Sequence, residues 1–138
     1  MTERKGRAPG CSRADATTRL RQAEAFVNVA ELALDDDTDT AGPGAVAALA
    51  VLAGIAASDA ACCARLGVRA RGRDHRLAVD LVSQVRPHGA SLAKDLGRLL
   101  AAKDDAHYGL ALVAPIKAKQ LLGYAQRMVG HARQVLES

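Results

Sequence analysis

The sequence predicts an all-α protein, an antiparallel bundle of four long helices and one short one, and three observations predict it. The 138 residues include 30 Ala, 17 Leu and 11 Val against one Phe, two Tyr and no Trp. Such stock suits helices packed closely side by side and disfavours a β-sandwich, whose strands want β-branched and aromatic residues. Apolar positions recur at alternating spacings of three and four, the period of one helical stripe. Apolar residues make up 49% and charged residues 25%, the balance of a single globular domain of this length.

The first helix is expected to start near Asp15 to Thr18, residues with N-cap oxygens, and to run to about Asp35. Leu20, Ala23, Val27, Ala30 and Leu34 form its stripe. Asp35-Asp-Asp-Thr-Asp-Thr-Ala-Gly-Pro-Gly44 reads as a solvated loop. A second helix from about Gly44 to Leu66 stops at Gly67, a good residue just past a helix end. It carries one charge between Ala45 and Ala64, Asp59, and is expected to be the central helix. Asp74 caps a short third helix that ends before Pro87, with Leu77, Leu81 and Val85 on one face. Ser91 is expected to cap a fourth helix ending around Tyr108-Gly109, with Leu92, Leu96, Leu99 and Leu100 inward. Pro115 marks the first residue of the last helix, whose stripe is Ala118, Leu121, Ala125, Met128, Ala132 and Val135.

The formal charge of +4 sits in residues 1–21, which hold six Lys/Arg and two Asp/Glu, while the rest balances at thirteen of each sign. Residues 1–15 read as a flexible basic arm and 16–138 as the folded domain. Within that domain Arg65, Arg69, Arg71, Arg73 and Arg76, with His75, form a basic turn, the candidate nucleic-acid surface. Scarce aromatics exclude a stacking platform for single strands. Of the three Cys, Cys62 and Cys63 are neighbours and Cys11 lies in the arm. Adjacent helical cysteines point about 100° apart, so neither a disulfide framework nor a zinc site is expected. Buried free thiols in a reducing cytoplasm are expected instead. The uncharged stretch Ala45 to Ala57 is too short for a bilayer, which takes roughly 20 residues, and follows acidic residues, unlike a signal peptide. A cytoplasmic protein with no membrane contact is expected.

No Glu-x-x-His pair, phosphate-binding Gly-rich loop, HExxH or GxSxG is present, so no metal or cofactor is expected. The remaining concentration of chemistry is Lys103-Asp-Asp-Ala-His107-Tyr108. Lys103 and His107 stand one turn apart on the face that carries Leu96 and Leu100. An imidazole beside a cation can move a proton and steady phosphate charge, the minimum for cleaving RNA. The plainer reading is a helix-end His favoured by the dipole and a Lys whose stem covers the core. Asp59, a lone acid in an apolar helix, needs a partner, with Arg19, Arg21 or Lys103 as candidates, or else orients His107.

The order of these segments resembles the HEPN superfamily of small helical bundles. The Ala-rich helix Ala53–Gly67, the start Asp74-His-Arg-Leu-Ala-Val-Asp-Leu81, the segment Leu99-Leu-Ala-Ala-Lys-Asp-Asp-Ala-His-Tyr-Gly109 and the helix from Pro115 are each similar to a family element. Together they span about residues 18–137. The resemblance implies a homodimer that binds RNA or nucleotides beside a nucleotidyltransferase or antitoxin partner, in a toxin–antitoxin-like or defence module. Many members are metal-independent endoribonucleases, with an Arg, four to six intervening residues and then a His at the dimer interface. His107 matches the His. Lys103 stands nearest to the Arg position, with three residues between, and Asp104 follows where the family commonly has Asn. The resemblance thus implies a binding and interaction protein first. A ribonuclease using His107 and Lys103, with Asp59 in support, comes second, and an unrelated helical adaptor third.

Overall fold

A computed structural model of the chain describes residues 10–35, 42–71, 74–108 and 113–138, with the side chains of 104–108 outside the description. It contains five helices, α1 (Arg13–Leu34), α2 (Gly42–Leu66), α3 (His75–Val82), α4 (Gly89–Tyr108) and α5 (Pro115–Glu137), and no strand among the described residues. The fold class is the one the sequence predicts, an all-α bundle of four long helices and one short one.

α2 is the centre. It touches all four other helices, and fourteen of its residues are buried. By length and composition α2 is apolar enough to cross a bilayer, because the helix continues well past the Ala45 to Ala57 stretch that looked too short. Most of that surface is covered inside the bundle instead. α1 runs antiparallel to α2, with Arg19 meeting Asp59 at one end and Gly42 beside Ala33 at the other. It also runs antiparallel to α5, where Arg133 bonds Glu24 and Gln126 bonds Glu31. A Cβ on Gly54 would come within 2.4 Å of Leu99 Cδ1, so this glycine admits α4 against α2.

Local chemistry sets the ends. Gly67 closes α2 at φ +72°, the left-handed conformation that costs glycine least. Asp74 caps α3 by accepting from the Leu77 N–H, and Pro115 opens α5, both as expected. α4 begins at Gly89 rather than Ser91. His88, at φ +75°, supplies the carbonyl that accepts from the Leu92 N–H, and a Cβ on Gly89 would stand 2.6 Å from the Ser83 carbonyl.

Two expectations about the N-terminal region are corrected. α1 starts at Arg13 because Ser12 and Asp15 form a reciprocal cap. The Asp15 N–H donates to Ser12 Oγ at 3.0 Å and the Ser12 N–H to Asp15 Oδ2 at 2.9 Å, a capping box. The Ser12 N–H, aided by its hydroxyl, holds the Asp15 carboxyl below its ordinary pKa. Residues 10–15 are therefore part of the fold and not of a flexible arm; residues 1–9 lie outside the described set. The second correction concerns the thiols. Cys11 and Cys63 form a disulfide with Cα atoms 5.3 Å apart, leaving Cys62 as the free, buried cysteine. The neighbouring cysteines do diverge, but the divergence sends Cys63 to the surface seam where Cys11 lies. There the Cys11 N–H donates to the Gly67 carbonyl at 2.9 Å, and Gly10 bridges Val68. The thiol argument for a reducing compartment falls with it.

Candidate functional site

A cleft with a cavity volume of about 70 Å³ opens where α2, α3 and α4 converge. α2 contributes Ile55, Ser58 and Asp59, the start of α3 contributes Asp74, His75 and Ala78, α4 contributes Leu96, Leu100 and Lys103, and Ala70 closes one side. Apolar and polar side chains contribute to the lining in equal number. Two residues singled out from the sequence, Asp59 and Lys103, therefore line one cavity although 44 positions separate them.

Asp59 is buried because α2 is the core helix, and its charge is met from two sides. Arg19 of α1 reaches Oδ2 with Nη2 at 2.9 Å and Nε at 3.1 Å, and Arg69 reaches the same oxygen at 3.2 Å. Arg19 was among the partners expected; Arg69 was not. Among the described residues both arginines bond Oδ2 and no hydrogen bond reaches Oδ1. Burial raises the Asp59 pKa above its ordinary value, and the charges of Arg19 and then Arg69 pull it back in part. Next to it, burial and the Asp59 charge push the Cys62 thiol up to about 12, which keeps it an uncharged core group.

Lys103 is half-buried with its side chain at the cleft. Its expected companion, His107, lies in the last turn of α4, with its side chain outside the described residues. His75 takes a place at the cleft that the sequence reading had assigned only to the basic turn. The basic turn itself is divided. Arg65 donates to the Arg86 carbonyl at 2.8 Å and Arg69 is held by Asp59, so both serve the fold. Arg71 and Arg76 are exposed, and Arg73 lies outside the described residues.

A second polar cluster went unread in the sequence. Asp95 of α4 is 2% exposed and is gripped by Arg127 of α5 through both oxygens, at 2.8 and 3.0 Å, with Arg98 at 3.3 Å. Both guanidiniums lie over the Tyr124 ring, 5.0 and 5.8 Å from its centre. Nearby, the His88 and His131 rings stack 4.3 Å apart and 7° from parallel. His131 Nδ1 is buried without a partner among the described residues, and burial, then the His88 charge, lowers the His131 pKa. Ring nitrogens direct their lone pairs in the plane of the ring, so two parallel rings do not aim at one ion. Among the described residues no group of three His, Cys, Asp or Glu could hold a metal.

Fold and cleft together define a small all-α bundle with a cleft of mixed polar and apolar lining at a three-helix junction. No protein-family model matches the chain, and no curated protein matches it in sequence.

Proposed function

We propose that this protein is a HEPN-like binding and interaction bundle, a homodimer that engages RNA or a nucleotide within a toxin–antitoxin-like or defence module. The observation that carries this reading is the meeting of Lys103 and Asp59 in one cleft with Ile55, Leu96 and Leu100. An ammonium at the rim suits a phosphate, and the Ile55, Leu96 and Leu100 wall suits the flat face of a base. Asp59, already engaged by two guanidiniums, serves as a scaffold for the site more readily than as a base, which favours binding over catalysis. Exposed Arg71 and Arg76 extend the positive rim. Self-association draws support from Val29, Leu32 and Leu52, which α1 and α2 leave exposed.

Anisotropy of a labelled single-stranded RNA should rise on titration with the protein, and Lys103→Ala should weaken binding about tenfold, the loss of one good contact. Affinity should fall with salt at a log–log slope of about −0.7 per phosphate contact. Light scattering should give twice 14.4 kDa. A monomer without RNA affinity would end this reading.

The ribonuclease reading is kept because α4 stays helical from Lys103 through position 107, one turn along the same face. It requires cleavage of labelled RNA in EDTA that disappears in His107→Ala with the fold intact. Wild-type protein that binds RNA and leaves it whole supports binding alone.

A further inference from the structure

The disulfide closes one wall of the cleft. Cys11 and Cys63 tie the residue before the α1 cap to the last turn of α2. The tie is reinforced by the Cys11 N–H on the Gly67 carbonyl and by the Gly10–Val68 bridge. The strand of chain that follows at once, Val68-Arg69-Ala70, supplies Arg69 to Asp59 and Ala70 to the cavity lining. We propose that the Cys11–Cys63 disulfide is a thiol-operated clasp that holds this wall of the cleft shut, and that its reduction frees the wall while leaving the bundle folded. The inference stands on the placement of the crosslink and not on the RNA reading.

Three features make the clasp local. The start of α1 has its own capping box at Ser12 and Asp15. Arg13 is also bonded to the Leu136 carbonyl at the far end of α5, so α1 stays docked when Cys11 is released. Gly67, at φ +72° and with nothing near its Cβ position, is a natural pivot. The remaining cysteine, Cys62, is 2% exposed in the core and points about 100° round α2 from Cys63.

The chemistry is ordinary exchange with a dithiol. Cys11 is half-buried and Cys63 buried, so the attacking thiolate meets Cys11 Sγ. The S–S bond breaks, and Cys63 leaves as a thiolate and takes a proton. The second thiol of the reductant then attacks its own mixed disulfide, Cys11 leaves and is protonated, and the reductant departs as a cyclic disulfide. Two electrons and two protons pass to the protein, and a disulfide oxidant runs the sequence backwards.

Hydrogen exchange on the full chain, oxidised and in dithiothreitol, tests the clasp. Reduction should speed exchange of amides 10–11 and 67–70 by at least about tenfold, as expected for local opening, with the Ser12 cap, the α2 core and α5 unchanged. Cys11→Ser should show the same pattern without reductant, and Cys62→Ala should keep the crosslink and the slow exchange. The ring resonances of His75, across the cleft, should move on reduction. Unchanged exchange at 67–70, loss of protection throughout the chain, or an air-oxidised protein with free thiols at positions 11 and 63 would each overturn the proposal.

Discussion

Asp59 and Asp95 are built from the same parts, an aspartate carried into the bundle by a long helix and two arginines that follow it in. Their surroundings differ. Arg127 takes both oxygens of Asp95, and Tyr124 backs both guanidiniums. That pairing is planar and bidentate, the geometry in which arginine and carboxylate bind best, and it locks α4 to α5. At Asp59 both arginines converge on a single oxygen, one from α1 and one from the segment after α2, and the residue lines a cavity. One cluster is closed and one is open. A carboxylate that lines a cavity can shape a ligand site in a way that one enclosed between two helices does not.

Substitutions can break or sharpen this contrast. The largest effect belongs to Arg127→Ala, which leaves a deeply buried carboxylate with only Arg98. Urea unfolding should show a loss of about 3 kcal/mol, the lower end for breaking a buried pair. Asp59→Asn should cost less, under about 1 kcal/mol near neutrality, because the charge it removes is one that burial already disfavours. The pH dependence gives the sharper test. Since the folded-state pKa of Asp59 is raised above 3.8, its contribution to stability is fully present below that value and is lost as pH rises through the raised pKa. The wild type should therefore gain stability relative to Asp59→Asn as the pH falls toward 3.8, when both are followed by denaturant midpoint. A cost for Asp59→Asn equal to that of Arg127→Ala would make the two aspartates equivalent clamps and remove the contrast. Arg98→Ala should be the mildest change. It removes a half-exposed partner at 3.3 Å and one guanidinium over Tyr124, worth about 0.5 kcal/mol in the same unfolding measurement.

Most of the fold was legible because it is written in short-range signals. The stripe from Leu20 to Ala30, the Asp74 cap, Gly67 as a stop and Pro115 as a start each need only a few neighbouring residues to be read. The Ser12–Asp15 cap was also legible, as Ser followed three residues on by an acid, but Asp15 itself was taken as the candidate cap. What escaped depends on the distance between elements. The Cys11–Cys63 bond spans 52 positions and requires the segment before α1 to fold back on the end of α2, which no local pattern announces. Asp95 looks like any polar residue on an amphipathic helix until α5 brings Arg127 to it. The site was half legible. The oddity of Asp59 in an apolar helix and of Lys103 on an apolar stripe showed in the sequence, whereas His75 joins them only because the chain after Gly67 returns α3 to the cleft.

Of the fourteen buried residues in α2, seven are alanine. An alanine has no rotamers to freeze, so this helix enters the core with little loss of side-chain entropy. It also covers little apolar surface per residue, and newly wetted apolar surface is what raises the heat capacity of an unfolded chain. A bundle centred on such a helix has a small heat-capacity change and a shallow stability curve, with a folded population that changes little between cold and warm conditions.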